Sequence, residues 1–175
     1  MEAVALTIAG AMVRLARTGE TIDQLLVNVD EAQARWKPNP ESWSMLEVIN
    51  HLIDEEREDF RRRMNLILFQ PTKPWPAIHP SAWVTNRGYN QRDFGRSRLL
   101  FAEERAASLA WLQAIDGADL EGFAEHPVFG PCTAREMLAN WLAHDLLHVR
   151  QLAELHYQHL NQSVAPLSLD YAGGW

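Results

Sequence analysis

Apolar positions along this chain recur at steps of three and four, in stretches separated by breaks rich in Pro and Gly. No stretch shows several cycles of the two-residue alternation that a half-buried strand needs, so the pattern predicts an all-α fold. A first helix is expected from about Ala3 to Arg35. It is weakest at Gly19, where glycine costs about 1 kcal/mol relative to Ala in a helix interior, and Pro38 and Pro40 stop it. A second helix opens at Ser44, which stands in capping-box spacing to Glu47, and runs to about Phe69. The stretch 70–93 follows, with four prolines and no period. Connections of that length inside a compact domain are usually functional or crossover segments. The third helix spans roughly Phe94 to Ile115 and stops near Gly117. "EHPVFGPCT" reads as a turn-rich link, after which a second capping box, Thr133 with Glu136, opens a fourth helix reaching about His159. Residues 161–175 have the composition of an extended tail that Trp175 could pin to the body.

Four amphipathic helices joined by one long middle connection make a four-helix bundle, in which a long crossover allows neighbouring helices to run parallel. The 175 residues, 47% hydrophobic, are enough for one sizeable core and are read as one domain.

Charge narrows the partners. Sixteen basic against twenty-three acidic side chains give a net charge of -7, which opposes binding to nucleic acid or to an anionic membrane. Arg61, Arg62 and Arg63 follow directly on Glu55, Glu56, Glu58 and Asp59, so the run reads as a mixed-charge solvated helix face. Cys132 is the only cysteine and supports no disulfide framework. The apolar run from Ala3 to Val13 lacks a basic lead and is too short to span a bilayer, and the chain is read as cytoplasmic.

The chemistry gathers in "AHDLLHVRQL", residues 143–152. On a helical wheel His144 and His148 share one stripe with Met137, Trp141, Leu152 and Leu155, while Asp145 falls to one side and Gln151 flanks the stripe. A zinc protease of the HExxH type is disfavoured, since the acid is the shorter Asp145 and Glu154 stands where the longer form of the motif has its third histidine. A di-iron site built on Glu-x-x-His is disfavoured too, because the nearest pair, Glu47 and His51, is one residue too wide. Two imidazoles one turn apart can share a metal if a third ligand comes from another helix. His51, in "EVINHLIDEE", is the candidate, placed by its wheel on the polar flank of the second helix, open to solvent. The competing reading is structural: a solvated His51, and two inward histidines satisfied by hydrogen bonds. His79, His126, His156 and His159 read as ordinary loop or helix-end residues, with His79 kept as a loop contact to a ligand.

"ESWSMLEVINHLIDEE" followed after a long gap by "EHPVFGPCTAREMLANWLAHDLLHVRQL" resembles the DinB/YfiT-like superfamily, in particular its DinB-like domain branch. The resemblance runs from the end of the first helix to about Leu155. It implies an up-down-down-up bundle, often homodimeric, with a divalent metal held by His51, His144 and His148. Zinc is the first expectation and nickel an alternative. Characterised members include metal-dependent thiol transferases and a mycothiol-dependent isomerase, so the resemblance implies a small-molecule substrate and a low-molecular-weight thiol as co-substrate.

Three neutral imidazoles leave a divalent ion its charge and an open position. Glu55, one turn after His51, is the candidate to orient that ring or accept a proton, and is read equally as a surface charge. Trp141 is expected to line the pocket, together with Trp75, Trp83 or Tyr89 from the long connection. Asp145 and Gln151 are expected behind the ligands, and Cys132 is read as inert. Two further readings stand beside the transferase: a metal-stabilised module that binds a partner, and a hydrolase using metal-bound hydroxide.

Overall fold

The structure, a computed structural model, describes residues 6–174. Helix α1 (Ile8–Leu26) begins where the Thr7 side chain accepts the Gly10 N–H. It ends just before Asn28, whose φ of 64° is left-handed, a conformation that Asn tolerates better than most residues. A separate short helix α2 (Glu31–Arg35) then starts on an Asp30 cap. The single helix expected over 3–35 is therefore two, with the break at Asn28 and not at Gly19; its first residues, 3–5, lie outside those described, as does Trp175. Gly19 stays helical and serves a close approach, since a Cβ there would sit 3.3 Å from Cγ of Arg105.

The second long helix comprises α3 (Met45–Asp54), a π-helical segment Glu55–Phe60, and α4 (Arg61–Phe69). The expected capping box opens it: Glu47 N–H donates to Ser44 Oγ at 3.1 Å and Ser44 N–H to Glu47 Oε2 at 2.8 Å. In an unbroken α-helix Phe60 would stand about half a turn round from His51. The wider π turn swings it back by about 100°, and both rings lie 5.2 Å from the His144 ring.

Every residue of α3 is buried, which corrects the expectation of a polar flank. The cause is the connection 70–93. It carries α5 (Pro80–Asn86) and a 3-10 turn (Tyr89–Gln91), and it docks on Asp54. The buried Asp54 carboxylate accepts from Tyr89 Oη and Arg87 Nη1, both at 2.5 Å, and from Arg57 Nη2 at 2.7 Å. Burial works to raise its pKa, but those three donors outweigh it and hold the group below the usual carboxylate range. The unfolded carboxyl takes its proton at higher pH than the folded one, so this stabilisation is present above about pH 4 and drains away as pH falls through the folded pKa. Asp54→Asn should lower stability by about 2–3 kcal/mol at neutral pH and flatten the acid limb of stability against pH in urea titrations. An unchanged acid limb would refute the assignment.

Helix α6 (Phe94–Ala114) starts on an Asp93 cap. The link after it forms an antiparallel hairpin, β1 (Phe123–His126) with β2 (Gly130–Thr133), where no strand was expected. Four residues per strand, with Ala124 alone buried in β1, leave no alternation to read. Helix α7 (Ala134–Ser163) opens on the expected Thr133–Glu136 box.

Contacts between the long helices fix their directions. Arg135 donates to Leu6 O and His156 to Leu25 O, so α7 runs parallel to α1. Asn50 meets Ser97 and Glu56 meets Ser108, so the second helix runs parallel to α6. His51 meets His144 and Glu56 meets Trp141, so α7 is antiparallel to the second helix. The bundle is up-down-down-up, as the resemblance implied.

Two apolar clusters fill it, one around Leu15, Met64, Leu112 and Leu138, the other around Ile22, Ile49, Phe101 and Leu152. Along each helix a polar layer lies between them. Arg105 pairs with Glu56 at 2.7 Å and with Asp145 at 2.6 and 2.9 Å. Thr18 donates to Asp145, Ser108 to Glu56, and Trp141 Nε1 to Glu56 at 3.1 Å. The solvated face expected over 55–63 is thus corrected: Glu55, Glu56 and Asp59 are buried, because the π turn faces them into the bundle. No helix among the described residues is long and apolar enough to cross a membrane.

Candidate metal centre

His51 on α3 and His144 and His148 on α7 point at one another across the antiparallel pair. His144 Nε2 lies 3.2 Å from Nε2 of His51 and 3.2 Å from Nε2 of His148. Three nitrogens around a tetrahedral ion at Zn–N distances near 2.1 Å would stand about 3.4 Å apart, so the spacing fits a shared cation. Protonation fits as well. Burial pushes the His51 imidazole down to about 2 and His144 to about 3, with the neighbouring imidazoles adding to it, and burial lowers His148 in the same direction. All three are neutral at pH 7, the form that ligates. Among the described residues, this is the one cluster of three such side chains whose donor atoms lie within 4.8 Å of one another.

The surroundings orient the rings. His148 Nδ1 donates to Gln151 Oε1 at 2.8 Å, which leaves its Nε2 as the bare nitrogen facing the cluster. Glu55 Oε1 stands 3.8 Å from His51 Nδ1, and neither atom has a hydrogen-bond partner. Burial, with Asp59 adjacent, holds the Glu55 carboxyl well above the usual range. His51 itself is 4% exposed rather than open to solvent.

Trp43 was not anticipated as part of this site. Its ring lies 4.9 Å from His51 and 6.4 Å from His148, stacked on the latter. The available signal was an indole immediately before the helix cap, two turns ahead of His51. Phe60 closes the other side, edge-on to His144.

Other expected residues sit elsewhere. Trp141, 1% exposed, lies one layer back, stacked on Phe60 at 5.3 Å. Asp145 faces Arg105 and Thr18, away from the rings. Tyr89 binds Asp54, Trp83 lies under Arg87, and Trp75 packs on Arg63 and His126. His79 is exposed at the start of α5, while His156 and His159 pack on Leu25 and Trp36. Burial and Glu136 push the Cys132 thiol up, against any activation by the helix start.

Three comparisons with known proteins bear on this arrangement. The family described as the DinB superfamily matches residues 14–152. No curated protein matches. Among solved structures the chain is similar to YfiT from Bacillus subtilis, described as a probable metal-dependent hydrolase with an unusual four-helix bundle topology. The TM-score is 0.77 over 91% of each chain at 18% identity, a likeness of fold.

Proposed function

Because this chain belongs to the DinB superfamily, we propose that His51, His144 and His148 hold a divalent ion, zinc first and nickel as the alternative, in an enzyme that turns a low-molecular-weight thiol on an electrophilic substrate. The observation that carries this is the convergence of three neutral Nε2 atoms, with His144 Nε2 3.2 Å from each of the others. When bound, the ion would lower the pKa of a thiol or water and so supply a nucleophile at neutral pH. The three rings contribute no charge that would quench it.

Gln151 fixes the tautomer of His148. Glu55 faces Nδ1 of His51, on the side of the ring opposite the cluster, so it acts through His51 as a positioning residue. In the transfer, sulfur bonds to the electrophilic carbon, the leaving group departs with the electron pair of the broken bond, and the thiol proton passes to solvent.

Hydrolysis is the second reading, favoured by the likeness in fold to a probable metal-dependent hydrolase. Metal-stripped and zinc-reloaded protein, assayed on a generic electrophile with and without added thiols, separates the two. Turnover that needs both zinc and thiol is the expected result. Zinc-dependent turnover without thiol would make it a hydrolase, zinc without turnover a binding module, and failure to take up any divalent ion would overturn both enzymatic readings.

A further inference from the structure

A cleft of about 290 Å³ opens against His144, between the π turn of the second helix and the turn after it, α7 and the β-hairpin. His144 Nε2 is 3.2 Å from the other two ring nitrogens, so an occupant of this cleft lies beside the cluster. Its walls are mainly apolar: Phe60, Met137, Leu147 and Phe129. Two opposite charges, Asp59 and Arg63, also line it, but they pair with each other at 2.7 Å and present no net charge to an occupant. A cavity of roughly 150 Å³ holds benzene, so the space suits one substituted ring.

The hairpin tip is held in place over this cleft. Val128 and Phe129 both donate their backbone N–H to His126 Nδ1, at 3.1 and 3.2 Å. The His126 ring stacks on Phe129 at 4.7 Å and meets Trp75 edge-on at 4.7 Å. Phe129 is nevertheless 82% exposed. A large apolar ring fixed at the lip of a cleft, with most of its surface in water, is the kind of feature that a ligand covers.

We infer that this cleft seats the electrophilic co-substrate and selects an uncharged molecule bearing one aromatic ring, with Phe129 as the residue that reads the ring. The inference rests on the thiol-transfer reading for its chemistry, but the binding it describes does not need the ion.

Isothermal titration of 1,3-dinitrobenzene and of benzoate into zinc-loaded and metal-stripped protein tests it, using wild type, Phe129→Ala and Leu147→Glu. Both side chains are more than half exposed, so neither variant should disturb folding. The neutral ring should bind wild type at least about ten-fold more tightly than benzoate, for which the cleft offers no free cation. Phe129→Ala should weaken it roughly three- to ten-fold, as loss of an aromatic pair does. Leu147→Glu should weaken it further, with zinc content unchanged in all three proteins. Equal binding to the three proteins, benzoate binding as tightly, or no binding of the neutral ring would overturn the inference. If zinc is not taken up but the ring still binds in this way, the metal reading fails and the cleft assignment stands.

Discussion

Arg105→Met should lower the stability of the chain by about 3–5 kcal/mol, the usual consequence of removing one partner from a buried ionic cluster. The guanidinium is the cation at the centre of the layer between the two apolar clusters, where it faces Glu56 at 2.7 Å and Asp145 at 2.6 Å and also donates to Leu15 O at 2.8 Å. Methionine keeps most of the volume but leaves two buried carboxylates with no counter-charge. Burial already presses the Glu56 carboxyl upward, with Arg105 working against it. Combining Arg105→Met with Glu56→Gln and Asp145→Asn should recover a large part of the loss, because removing all the charges together leaves none of them unpaired. Chemical denaturation followed by circular dichroism measures both proteins, with unchanged slopes showing that the comparison is one of stability alone. A loss below about 1 kcal/mol for the single substitution would show that water or a shifted proton already compensates this layer.

His51→Ala should weaken zinc binding by at least about 100-fold, more than the loss typical of a partner standing behind a ligand. In the proposed site His51 is the one ligand from the second helix, so without it the two α7 rings are left as an i, i+4 pair. Gln151→Leu removes only the acceptor that orients His148, and should give a milder loss of about 10- to 100-fold. His156→Ala, whose ring binds Leu25 O far from the cluster, should change nothing. Competition with a chromophoric chelator gives the affinities, and near-ultraviolet circular dichroism shows whether the fold has held. Wild-type affinity in His51→Ala would remove that residue from the site and, with it, the case for a three-ligand centre.

What was legible in the sequence was what depends on residue type at short spacing. Ser44 and Thr133 each stand three positions before a glutamate, and only such a pair closes both halves of a capping box. His144 and His148 lie on the inner stripe of α7 because four residues make about one turn. What was not legible depended on partners distant in the chain. A wheel drawn for the second helix assumes a solvent side, and Asp54 removes it by docking residues 80–91 there. The buried face of helix α6 was harder still, since it runs Phe94, Ser97, Phe101, Arg105, Ser108, Leu112, polar at three of six places. Arg105 looks like a surface residue until Glu56 and Asp145 arrive from two other helices. The hairpin was missed because its strands are too short to carry a period, and with it the fixed position of Phe129.

The wide turn at 55–60 also constrains how chain length can vary among relatives. Residues 71–79 carry no helix or strand, and insertions or deletions there would be absorbed locally. Losing one residue from 55–60 would restore a regular coil and leave His51 and Phe60 eight positions apart, about 80° round the same rod, whereas tightening the turn with all six residues kept would set them about half a turn apart. A gap of one residue in those six positions would therefore mark a protein whose second helix still offers the same face to its last one, and a gap of two a protein in which that face is turned by about a further 100°, however faithfully the three histidines themselves are retained.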